Sequence, residues 1–171
     1  MNSWKAIKKR VKNEISKKLL AKNGPYCVYC ERVLIGTGNQ IDHFAHKALH
    51  SQFTFNPVNL FYSCSFCNSS ARKGQKNTIN NPVQFRYDLC QFKIVHPYFD
   101  NPDTEILYQD ADKVFFDLPS CSNLGRDTIA FFKWDDIHMT MFRARTLKIE
   151  RLNPLSPIEE QQLILSIISY K

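Results

Sequence analysis

The chain has 171 residues, 43% of them hydrophobic, and a formal net charge of +7, a composition that suits one ordinary domain or a small module with an appended region. No apolar run approaches the ~20 residues of a membrane span, and no apolar core follows the N-terminal charges as in a secretory signal. Those exclusions point to a cytoplasmic protein, where CxxC spacings among the 6 cysteines favour metal ligation over disulfides.

The charge is unevenly placed: +7 over 1–22, +4 over 23–93 and −4 over 94–171. A basic surface of this kind is the footprint of a polyphosphate ligand. Trp4, Ile7, Val11, Ile15 and Leu19 recur at spacings of three and four, which predicts a helix over 4–20 with one packed face and lysines on the rest. A helix so patterned also suits a phosphate backbone or a membrane surface; packing is favoured for the apolar stripe. Asn23-Gly24-Pro25 then stops it.

Next come a knuckle around Cys27 and Cys30, a short strand over 33–35, a turn over 36–39 and a second extended segment from Gln40 to His43. Residues 44–56 read as loop and 59–63 as extended chain. A helix is expected from Asn68 to near Gly74. Beyond lie a turn-rich linker over 96–103, one or two strands within 106–118, and helices over 128–134 and 137–152 with Asp135 or Asp136 as the cap between them. Ser156-Pro157-Ile158-Glu159 starts a last helix ending near 169. The expected architecture is α+β: a basic helix and a zinc-stabilised core over 1–93, and a mainly helical part over 94–171.

Cys27-x-x-Cys30 and Cys64-x-x-Cys67 present two pairs of thiolates to one tetrahedral Zn²⁺. Zinc bound this way contributes an apparent ~10–16 kcal/mol, more than the net stability of most domains, so its loss should unfold the region. With all four ligands from protein, that ion has no open position for chemistry. Cys90 and Cys121 stand alone and read as small buried residues.

Asp42, His43, Asn59 and Asn68 are each ordinary taken singly: a turn carboxylate, a satisfied polar histidine, two capping asparagines. The clip changes that weighting by pinning their segments together. At these positions the chain resembles the HNH endonucleases of the ββα-metal fold, in their four-cysteine zinc branch. The matching text is Cys27-x-x-Cys30, Asp42-His43, Asn59-Leu60 and Cys64-x-x-Cys67-Asn68, within residues 15–80. Asn68 stands where many members have histidine, an H-N-N variant.

The resemblance implies that His43 is the general base, that Asp42 and Asn68 hold one catalytic cation, and that Asn59 positions the His43 segment. It implies hydrolysis of DNA phosphodiesters to 5′-phosphate and 3′-hydroxyl ends. A neutral imidazole can accept a proton at neutral pH, and oxygen ligands suit Mg²⁺ or Mn²⁺ better than zinc. Arg72, Lys73 and Lys76 are the expected phosphate contacts. His46 and His50 would share a face with His43 were that segment helical, and would then form a metal site; contact with phosphate or solvent is the favoured reading. His96 has nothing beyond its residue type. The acidic part, with its 96–102 stretch, is loosely similar to the tails of HNH nucleases in bacterial phage-defence systems, which pair with an ATPase subunit. The rival to a nuclease is a zinc-stabilised nucleic-acid-binding module without catalysis.

Overall fold

The computed structural model describes residues 4, 7, 9–34, 40–152, 158, 159, 162, 165 and 166. Helix α1 runs over Lys9–Asn23, later than expected, and ends where Gly24 takes a left-handed φ of 67° that non-glycine residues rarely adopt. Its apolar stripe packs only in part. Leu19 joins Trp4 and Leu60 in a buried cluster bordered by Ile7, Ile15, Ile41 and Tyr62, whereas Val11 is 47% exposed. Lys12 lies over the Trp4 ring and Lys22 over Tyr98, at 5.7 and 3.6 Å, so some of the lysine face covers aromatic surface.

Strands β1 (Gln40–His43) and β2 (Leu60–Ser63) pair antiparallel, with Asp42 opposite Phe61 and His43 opposite Leu60. Alternation along a strand sends neighbours to opposite faces. His43, Leu60 and Ile41 therefore face α1, while Asp42 and Phe61 face the main core. The expected strand over 33–35 reduces to a single bridge from Val33 to Tyr26; the turn over 36–39 lies outside the described residues.

The helix expected after Cys67 is a succession of turns over 65–75. Its amides bond across unequal spans: Asn68 to the Cys64 carbonyl, Ser69 to Phe66, Arg72 to Ser69 and Lys73 to Cys67. No four-residue ladder propagates through two serines that favour turns. Gly74 closes the segment at a φ of 46°, and a Cβ there would meet the Ser70 Cα at 2.9 Å.

A second two-stranded sheet pairs β3 (Ile79–Asn81) with β4 (Gln91–Phe92). In place of strands, 106–118 holds one bridge, Tyr108 to Phe116. Three helices follow: α2 (Pro102–Glu105), α3 (Asn123–Phe132) and α4 (Ile137–Leu152). The Ser122 side chain caps α3, and Gly125 lets it approach α2, since a Cβ there would lie 1.9 Å from the Glu105 carbonyl oxygen. Asp136 caps α4 by accepting from the Met139 amide at 2.8 Å. Ile158, Glu159, Gln162, Leu165 and Ser166 are helical; the Ser156-Pro157 start lies outside the described residues.

The result is a mixed α+β fold. Its largest buried cluster contains Cys27, Tyr29, Phe44 and Phe61 together with Ile94, Val95, Ile129, Phe132 and Trp134. Residues on both sides of position 93 thus complete one core. Among the described residues no helix is long and apolar enough to cross a membrane.

Candidate functional site

The knuckle pairs converge. One sulfur from each of Cys27, Cys30, Cys64 and Cys67 lies within 4.8 Å of the others, and Cys30 Sγ is 3.9 Å from Cys64 Sγ. A tetrahedron with Zn–S bonds of ~2.3 Å has edges of ~3.8 Å, so the four cysteines could hold a zinc ion. Glu31 takes a left-handed φ of 58°, which lets the Cys27 amide bond the Arg32 carbonyl. The Cys67 amide donates to Cys64 Sγ at 3.4 Å. Crowding makes the thiols unequal: hydrogen bonding to Cys27 holds Cys64 far below the ordinary thiol range and pushes Cys67 far above it. Four thiolates this close repel one another, and a cation among them would offset that.

Asp42, His43 and Asn68 border one open cleft of about 650 Å³, together with His46, Lys47 and Lys76. His43 is only 2% exposed. Its Nε2 lies 3.1 Å from the Thr54 carbonyl oxygen. A carbonyl only accepts, so Nε2 carries the proton and Nδ1 keeps the ring's one basic lone pair. Burial, reinforced by Lys47, lowers the His43 pKa to about 4, and the ring is neutral at pH 7. The Trp4 indole meets it edge-on at 4.6 Å.

Asp42 is buried and both of its oxygens have partners. Tyr29 Oη donates to Oδ2 at 2.5 Å, and the Lys73 ammonium lies 3.0 Å from Oδ1. Burial and then the Asp42 charge raise the Tyr29 pKa well above the phenol range, which keeps the phenol a donor. Each carboxylate oxygen retains a second lone pair. Asn68 spends its amide nitrogen on Gln40 Oε1 at 2.7 Å, leaving its own Oδ1 as an acceptor. Two hard oxygen donors at one cleft fit Mg²⁺ or Mn²⁺ in kind.

Asn59 is fully buried and grips Ala45, two residues past His43. Its Oδ1 accepts from the Ala45 amide at 2.7 Å, and its Nδ2 donates to the carbonyls of Ala45 and Phe53 at 3.3 and 2.9 Å. Tyr87 Oη also donates to Asn59 Oδ1, at 2.9 Å. Behind it stands His96, whose Nδ1 accepts from the Tyr98 amide at 3.1 Å. The His96 proton is therefore on Nε2, 3.0 Å from Tyr87 Oη. Burial lowers the His96 pKa to about 3. A buried chain of donors thus runs from His96 through Tyr87 and Asn59 to the loop beyond His43.

The expected phosphate contacts divide. Lys76 is exposed at the cleft, its ammonium 3.3 Å from the Phe131 carbonyl. Arg72 is instead buried over the Phe66 ring at 3.9 Å, donating to the Phe132 and Lys133 carbonyls and to Asp136. Lys73 is 0% exposed and adds a bond to the His43 carbonyl at 2.7 Å. Neither can reach a ligand in solvent, because each guanidinium or ammonium already fills an internal acceptor set. His50 pairs with Asn77 at 2.8 Å, and 44–50 is bend and turn rather than helix. Among the described residues, the four cysteines are the one group of three or more His, Cys, Asp or Glu side chains spaced to hold a metal.

Tyr29, Tyr87, His96 and the Thr54 carbonyl are the contributors that sequence reasoning missed. Tyr29 lies inside the first knuckle, next to Cys30, and that position was its only signal. A backbone carbonyl such as that of Thr54 leaves none. Compared with known protein families and with curated protein sequences, no family model and no curated protein matches the chain.

Proposed function

We propose that the cleft bordered by Asp42, His43 and Asn68 is the active site of a metal-dependent endonuclease that hydrolyses DNA phosphodiester bonds, as in HNH nucleases. The observation that carries this reading is His43: a neutral imidazole at a cleft, one nitrogen spent on the Thr54 carbonyl and the other keeping its lone pair free to accept a proton. His43 Nδ1 takes a proton from water as the water oxygen attacks phosphorus; the P–O3′ bond breaks, the leaving O3′ is protonated by solvent water in the open cleft, and the ends are a 5′-phosphate and a 3′-hydroxyl. Asn59 and the chain behind it fix the loop that carries the Thr54 acceptor, and so hold the ring's tautomer. Lys47 and Lys76 border the cleft and attract the phosphate backbone without reading sequence. A Mg²⁺ or Mn²⁺ ion on oxygens of Asp42 and Asn68 would neutralise charge on the phosphate and the leaving oxygen.

The test is nicking of supercoiled plasmid by zinc-loaded protein with added Mg²⁺ or Mn²⁺. His43→Ala is expected to slow nicking by about 10²–10⁴-fold with unchanged zinc content. Equal cutting by the two proteins would remove His43 from the chemistry. Binding of DNA with no cutting under any divalent cation would favour the non-catalytic module.

A further inference from the structure

Lys73 stands wholly enclosed behind Asp42, and neither the zinc cluster nor the hydrolytic scheme uses it. Its ammonium bonds two acceptors from adjacent residues: Asp42 Oδ1 at 3.0 Å and the His43 carbonyl at 2.7 Å. Tyr29 occupies the other carboxylate oxygen. A buried carboxylate left alone is costly, and a buried ammonium equally so; here each removes the other's penalty. The Asp42 position is therefore electrically complete with protein atoms alone.

We infer that Lys73 is a resident counter-ion at Asp42 that competes electrostatically with the divalent cation and holds its affinity low. This rests on the metal reading of Asp42 given above. The ligand set for the cation is one carboxylate and one amide, and the neighbouring ammonium cancels the carboxylate's charge. An incoming dication must share Asp42 with a fixed positive charge a few ångströms away that has no exit to solvent. Undiminished, repulsion between unit charges at 4 Å in a medium of effective dielectric ~20 is worth on the order of a thousandfold in affinity. Screening by water in the open cleft reduces that figure. The same ammonium keeps the Asp42–His43 strand end assembled while no cation is bound. Folding is carried by zinc and by Lys73, and the second ion is free to exchange.

The experiment is Mn²⁺ binding to zinc-loaded full-length protein, followed by the loss of the free-ion EPR signal, for wild type, Lys73→Met and Asp42→Asn. Lys73→Met is expected to bind Mn²⁺ at least tenfold more tightly than wild type, and Asp42→Asn to lose the site. Thermal unfolding provides a readout should Lys73→Met be unstable: added Mn²⁺ should raise its midpoint more than that of wild type. Equal or weaker binding by Lys73→Met, with Asp42→Asn still losing the site, would overturn the counter-ion role and leave Asp42 as a ligand. Mn²⁺ binding that Asp42→Asn leaves unchanged, or no binding to any of the three, would overturn both.

Discussion

Two sites lie within one 48-residue stretch, from Cys27 to Gly74, and they are built on opposite principles. The cysteine cluster is assembled by two tight turns, each placing two sulfurs, so local spacing determines it. The cleft is assembled by groups far apart in sequence: Tyr29 and Lys73 on Asp42, Thr54 behind His43, and Tyr87 and His96 behind Asn59. Both are largely buried, but the cluster's geometry is set by its own two turns. The cleft's groups are instead held in one protonation state and one orientation by a buried polar network, as the proposed hydrolysis would need. The difference teaches that ligands can be read from spacing, whereas the residues that tune them are set by packing.

Removing zinc is the largest perturbation. Chelation, or Cys64→Ser, should abolish the fold, because ~10–16 kcal/mol of apparent binding energy exceeds the ~5–15 kcal/mol stability of a typical domain. Metal analysis should give one zinc per chain, and near-ultraviolet circular dichroism should collapse on chelation. A chelated chain that kept its near-ultraviolet signal would show that the cluster is incidental to the fold.

Acid is the next. His96 is held neutral by burial, with its pKa lowered from 6.5 to about 3. A depressed folded pKa means that the unfolded chain takes up the proton first. Its contribution is therefore fully present above pH 6.5 and is lost as pH falls toward 3, at up to ~1.4 kcal/mol per pH unit. His43, lowered to about 4, acts in the same direction. Urea unfolding between pH 7 and pH 4 should show this decline, and His96→Gln should flatten it. A wild-type curve level across that window would contradict the buried neutral histidines.

The smallest test sharpens the comparison most. Tyr87→Phe removes one hydroxyl and strands the His96 Nε2 proton, at a cost of about 1–3 kcal/mol, while zinc content stays at one. Were nicking to fall by more than the lost folded fraction explains, the chain behind Asn59 would be shown to position the site. A variant indistinguishable from wild type in stability and nicking would reduce that chain to ordinary core.

The legible parts were those with short-range signals. Cysteine spacing located the cluster, and apolar spacing with an Asp135 or Asp136 cap located α4, where Asp136 is the one that caps. Apolar periodicity placed α1 several residues early, because Trp4 folds onto His43 and Leu60 instead of extending the helix. Helix propensity over 68–74 was overruled by the knuckle amides and by Gly74. Arg72 and Lys73 read as surface cations by type alone. Nothing local marks a basic residue whose acceptors lie thirty or sixty positions away, as Asp42, His43, Phe132 and Lys133 do.

That adjacent pair has one more consequence. Arg72 reaches the far end of α3 and Lys73 reaches the end of β1, so two consecutive residues rivet the halves of the chain together at a single turn. Excising residues 1–93 as a minimal fragment would leave a guanidinium shorn of every acceptor and a core open along Ile94, Phe132 and Trp134. The shortest fragment worth expressing is one that retains α3 and α4.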